Sequence, residues 1–173
     1  MVGWLIGTVA FIAGQRLAEL RLAATNRRWL LAHGAREYGA SHYPLFILLH
    51  TGWLVGLLVE GLWRGPALDG RWLLWLGLLL AAQLLRYWSI ASLGRRWCTR
   101  ILVIPGDRRI RCGPYRFLRH PNYLAVALEL PALPLIFGAW LTAAVASLLN
   151  AWLLLAVRIP AEEQALAKLT KQV

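Results

Sequence analysis

The stretch WLLWLGLLLAAQLLRYWSI, residues 72–90, decides the fold class. It is apolar without a break up to Gln83, and Arg86 is its single charge. A hydrocarbon core of about 30 Å takes about 20 mostly apolar residues of helix. A helix apolar on all sides at that length reads as a membrane span. Four further segments follow the same rule, at residues 2–22, 43–63, 122–137 and 140–157. Only Gly138 and Ala139 separate the last two, which predicts a tight helical hairpin. The segment at 122–137 is short and carries Pro131 and Pro134. Those prolines should kink it, which a membrane helix tolerates when neighbours satisfy the freed backbone. In the first segment the positive charges (Arg16, Arg21, Arg27, Arg28) follow the apolar run. A secretory signal peptide has them before it, so the segment reads as an anchor with its N-terminus outside.

The expected fold is therefore all-α, one domain over residues 1–173, an integral membrane bundle of about five transmembrane helices. The whole chain agrees with this. Its 173 residues are 59% hydrophobic and include ten Trp, and its mean hydropathy is +0.54. Soluble domains are about 45–50% apolar, so a soluble globular reading is excluded. A net charge of +11 on a soluble protein would suggest nucleic acid as partner. Five spans instead place sixteen of the nineteen basic residues on one side, with Arg64 and Arg71 on the other. The nineteenth, Arg86, is expected to snorkel toward the basic side. That asymmetry is the positive-inside pattern. It predicts a cytosolic C-terminus, with membrane lipids as partners and no nucleic acid. Cys98 and Cys112 are too few and too far apart for a zinc site, so no metal is expected.

The longest stretch between spans, residues 91–121, holds eight Arg together with Gly94, Gly106, Gly113, Pro105 and Pro114. A loop of this length in so small a protein is usually functional. It ends in RCGPYRFLRHPNY, residues 111–123. Gly113-Pro114 makes a turn, and Pro121 suits the first turn of a helix. Free N–H groups at Asn122 and Tyr123, beside Arg119 and His120, would suit a carboxylate or phosphate. On composition alone, a basic loop meeting anionic head groups fits as well. Arg158 and Glu162, four apart, share a helix face at the end of the last span, with Glu163 next to them. The bland alternative is a surface ion pair worth a few tenths of a kcal/mol. Glu129 lies inside the fourth span, where an ionisable group is a functional candidate by default, or else a hydrogen-bonded structural Glu. His50 reads as interhelical glue. His33, His42 and Glu60 are expected to face solvent. Arg86 with Tyr87 and Trp88 could line a substrate groove.

These motifs together resemble the isoprenylcysteine carboxyl methyltransferase family. The resemblance rests on Gly113-Pro114-Tyr115, Arg119-His120-Pro121-Asn122-Tyr123, the hairpin, Arg158 and Glu162-Glu163, and covers residues 93–166. It is nearest to a small bacterial branch, associated with type III polyketide synthases, that methylates alkylpyrone or alkylresorcinol hydroxyls. The resemblance implies an S-adenosylmethionine-dependent O-methyltransferase with a cytosolic cofactor-binding loop and a short C-terminal helix. Its substrate would be a lipid entering from the bilayer of a bacterial inner membrane, with a hydroxyl or a prenylcysteine-like carboxylate as acceptor. Carried over by residue, Gly113, Tyr115, His120, Pro121, Asn122, Tyr123 and Glu162 would hold the cofactor. Asp107, Arg108, Arg109 and Ile110 would cover its adenosine side, although three charges there depart from the family's His and aliphatic residues. Arg158, Glu162 and Glu129 would be the catalytic groups, with Glu129, Glu162 or His120 as possible proton acceptors. The rival classes are an NADPH-dependent membrane reductase and a non-catalytic lipid-binding protein.

Overall fold

A computed structural model describes residues 1–65, 68, 70–107 and 110–170. Six helices dominate it: α1 (Val2–Ala32), α2 (Tyr43–Arg64), α3 (Trp72–Leu93), α4 (Pro121–Ile136), α5 (Trp140–Trp152) and α6 (Ile159–Thr170). Two three-residue strands, β1 (Arg36–Tyr38) and β2 (Ile101–Val103), pair antiparallel with Arg36 opposite Val103. Among the described residues three helical stretches are long and apolar enough to cross a membrane: Ala40–Arg64, Trp72–Arg96 and Trp140–Ala167. The helix Pro121–Ile136 is apolar but shorter. α1 is not among the three. Its 31 residues run ten positions past the expected end, and its second half is polar.

That polar half is drawn inward. Arg16 bonds Glu19 at 2.6 Å and also pairs with Glu129 of α4. Arg86 of α3 pairs with the same Glu129, and with Glu19 at 3.4 Å. Gln83 donates to Glu129 at 3.0 Å and receives a bond from Gln15 at 2.7 Å. Two Arg and two Glu thus form a closed ring that ties α1 to α3 and α4. Arg86 does not snorkel: it is only 4% exposed, because Glu129 and Glu19 meet its charge inside the bundle. Tyr87 and Trp88 are half-exposed on the outside of α3.

The apolar core sits below this ring, where Leu5, Ile12, Trp53, Leu57, Leu130 and Leu133 pack together. Pro134 has no N–H to give the carbonyl of Leu130, four residues back. Trp53 Nε1 supplies the missing donor at 2.9 Å, so the prolines of α4 are accommodated by α2. Glu60 is not wet as expected. It is 6% exposed and accepts the backbone N–H groups of Leu141 and Thr142 at 3.1 and 2.7 Å, and the Thr142 hydroxyl at 2.7 Å. These are unpaired donors at the start of α5, and a residue of α2 caps them.

The C-terminal helix is not a separate element. α5 widens into a π-helical turn at Leu153–Arg158 and runs on into α6. Pro160 is the local reason, since it cannot bond the carbonyl of Ala156 and its ring would crowd it. Such turns are frequent at functional sites, and this one ends on Arg158.

Candidate active site

Gly113 adopts φ +55°, and a Cβ there would lie 2.0 Å from Ser92 Oγ. Only glycine lets the turn Gly113–Arg116 seat itself so closely on the end of α3. The seating brings the Tyr115 side chain up to Ser89, a fully buried residue of α3. Burial, reinforced by the Glu162 carboxylate, pushes the Tyr115 phenol well above its ordinary range. Pro121 then opens α4. The Tyr123 N–H is not free as expected, because the first turn is tight and it donates to the His120 carbonyl at 3.1 Å.

Arg158 lies across from that helix start. Its Nε donates to the Tyr123 hydroxyl at 3.0 Å and its Nη2 to the Thr99 carbonyl at 2.8 Å. The Tyr123 hydroxyl in turn donates to Glu162 Oε2. His120 Nδ1 stands 3.5 Å from Glu162 Oε1, and its ring stacks on Tyr123 with centroids 5.4 Å apart. Four residues from two distant segments therefore form one hydrogen-bonded group. Tyr43 at the start of α2 bonds the Thr99 hydroxyl at 3.1 Å, and the guanidinium of Arg100 lies over the Tyr43 ring at 4.3 Å. Glu37 of β1 binds both Arg100 and Arg27. Burial would raise its carboxyl, but the two guanidiniums outweigh it and hold it below the usual carboxylate range.

A cavity of about 2050 Å³ opens over this group. Tyr115, His120, Asn122, Tyr123, Arg158 and Glu162 line it, and Asp107 and Ile110 reach it from the loop above. Drug-sized sites are typically about 300–1,000 Å³, so the space exceeds one small molecule. It continues between α1 and α2. Leu5 near the start of α1 packs tightly against Gly61 of α2, whereas at the other end Ala13, Leu17 and Leu20 line the cavity together with Phe46, Ile47 and His50. Leu17, Leu20 and Ile47 are also exposed, so this end of the cavity has an open, apolar wall.

Gly113, Pro121 and Glu129 are not on the cavity wall. The first two shape the turn and the helix start, and Glu129 belongs to the ion ring. Arg108 and Arg109 lie outside the described residues. Sequence reasoning missed Thr99, Tyr43 and Ser89. The available signal was position: Tyr43 is the first residue of one predicted span, Ser89 lies in the last turn of another, and Thr99 stands in the long loop that follows it. Among the described residues no group of three or more His, Cys, Asp or Glu could hold a metal ion.

The fold and site define a helical membrane protein with a polar cap closing over a cleft that also opens along its apolar flank. The family model described as "Isoprenylcysteine carboxyl methyltransferase (ICMT) family" matches residues 75–168, and the chain belongs to that family of membrane-associated methyltransferases. It is 40% identical over 163 residues to a Bacillus subtilis protein named YpbQ, covering 94% of this chain and 95% of the other. A Haemophilus influenzae protein is 29% identical over 163 residues, 94% of each chain. No solved structure matches it.

Proposed function

We propose that the protein transfers a methyl group from S-adenosylmethionine to an oxygen of a lipidic acceptor at the cytosolic face of a bacterial inner membrane. The observation that carries this reading is the Tyr123–Arg158–Glu162–His120 group at the wall of a cavity with one polar and one apolar approach. The residues fit such a cofactor. A sulfonium is cationic and favours aromatic faces and carboxylates, and the stacked His120 and Tyr123 rings and Glu162 offer both. Asn122 Oδ1 is buried with no hydrogen-bond partner among the described residues, so it has an acceptor to offer. Asp107 and Ile110, with Arg108 and Arg109, would cover the adenosine.

Bound there, S-adenosylmethionine would supply an electrophilic methyl group for in-line displacement. The chain's own task is then positioning and exclusion of water. Arg158 supplies a planar guanidinium. Fixed by Tyr123 and Thr99, it lowers the pKa of an approaching hydroxyl, or holds a carboxylate. Glu162 keeps Tyr123 and His120 in place. Glu129 receives three donors, which favours a structural role over proton transfer. The acceptor would enter through the gap between α1 and α2. α1 and α4 would span the bilayer with the other three stretches, the N-terminus outside. In α1 the ion ring neutralises Arg16 and Glu19, two of the charges that otherwise argue against insertion.

Thermal unfolding of the detergent-solubilised protein tests the cofactor. S-adenosylhomocysteine raises the midpoint and NADPH leaves it unchanged. The reverse result supports a reductase, and no response to either leaves only lipid binding. Arg158→Ala and Glu162→Ala each abolish methyl transfer while the protein stays folded. Wild-type rates in both would show that the active site lies elsewhere.

A further inference from the structure

The cavity has a second polar region that methyl transfer does not use. Tyr123 and Arg158 are hydrogen-bonded and so share one level. Glu129 is six residues further along α4, and Asn150 precedes Arg158 by eight residues on α5. At 1.5 Å per residue both lie roughly 9–12 Å deeper in the bundle. On α2, the guanidinium of Arg158 sits 5.8 Å from the Phe46 ring, and His50 is one turn deeper. Asn150, His50 and Arg86 all line the cavity.

Each has hydrogen-bonding capacity in hand. Asn150 is 1% exposed, and its Oδ1 has no partner among the described residues. Arg86 is 4% exposed, and its Nε has none either. His50 Nδ1 lies 2.8 Å from the Phe46 carbonyl. A carbonyl only accepts, so Nδ1 carries the hydrogen and the neutral ring keeps Nε2 as an acceptor. The adjoining ring of Arg16, Glu19, Arg86 and Glu129 holds two charges of each sign. It therefore carries no net charge to hold a full anion. What remains is a buried pair of acceptors and a donor, and a neutral hydroxyl can both give to the former and take from the latter.

We propose that Asn150, with His50 and Arg86, forms a second recognition point for the lipid acceptor, binding an uncharged oxygen function of its head group other than the oxygen that is methylated. This deepens the methyltransferase reading and rests on it. The protein thereby selects lipids whose head carries two separated oxygens over those that carry one.

The test is calorimetric titration of the full chain in detergent micelles with S-adenosylhomocysteine present. The probes are a long-chain alkylphenol and the alkylresorcinol of the same chain length. One added hydrogen bond in a buried site corresponds to about tenfold in affinity, so wild type binds the resorcinol about tenfold more tightly. Asn150→Leu brings the ratio down to the roughly twofold that two equivalent hydroxyls give by statistics, while S-adenosylhomocysteine still binds. Should that variant not fold, His50→Phe is read in the same way. A wild-type ratio of twofold or less overturns the proposal however the variants behave, as does a full ratio retained in Asn150→Leu. Failure of wild type to bind S-adenosylhomocysteine instead overturns the methyltransferase reading beneath it.

Discussion

Replacing Glu129 with leucine separates a structural carboxylate from a chemical one. Glu129 is 3% exposed and accepts from Arg16, Arg86 and Gln83. Its loss leaves the ring with two guanidiniums against Glu19 alone. Breaking a buried ion pair by removing one partner costs roughly 3–5 kcal/mol, because the remaining charge is uncompensated. For a protein of this size, at about 2–4 °C per kcal/mol, the melting midpoint falls by roughly 6–20 °C. The double variant Arg16→Met with Glu129→Leu restores charge balance, because Arg86 and Glu19 remain as a pair. It should recover most of that loss, since replacing buried ion pairs by apolar residues is often close to neutral. Thermal unfolding followed by tryptophan fluorescence in micelles, for wild type, both single variants and the double, gives the coupling directly. A Glu129→Leu protein that melts with wild type but has no turnover would refute the reasoning and make Glu129 the proton acceptor. A double variant no more stable than Glu129→Leu would refute the charge-balance argument.

Glu60→Ala removes three hydrogen bonds from the start of α5; a loss of about 2 kcal/mol is expected, read as a lower melting midpoint with cofactor affinity unchanged. The depressed Glu37 carboxyl contributes stability that is present above the ordinary carboxylate range and is lost as pH falls through its lowered folded value. Glu37→Gln should flatten that acid limb of the melting profile, and an unchanged limb would assign it to other groups. Tyr115→Ala should raise the cofactor KM with kcat less affected. Because the Tyr115 phenol is pushed upward, Tyr115→Phe should leave the alkaline limb of the rate profile unaltered, which a pH series checks.

The parts legible in the sequence were those set by neighbours along the chain. Hydropathy runs placed α2, α3 and α4 to within a few residues, since such a helix needs only length and apolarity. Gly113-Pro114 and Pro121 marked the turn and the helix start, because both residue types constrain their own backbone. Family resemblance supplied Tyr115, His120, Tyr123, Arg158 and Glu162, and folding gathers these around one cavity. Arg86 and Glu60 were misread for a single reason. A charge near a span end is expected to seek water, and the neighbouring sequence does not reveal a distant partner waiting inside. Those partners, Glu129 for Arg86 and the start of α5 for Glu60, stand 43 and about 81 residues away. Likewise Thr99 enters the site only because the loop after α3 folds back 59 residues from Arg158. The sequence by itself determined that the chain is a helical membrane protein and which loop meets the cavity, because apolarity and backbone stiffness act residue by residue. Tertiary structure alone decided which charges cancel in the interior and where the cavity opens, because both depend on which faces of separate helices meet.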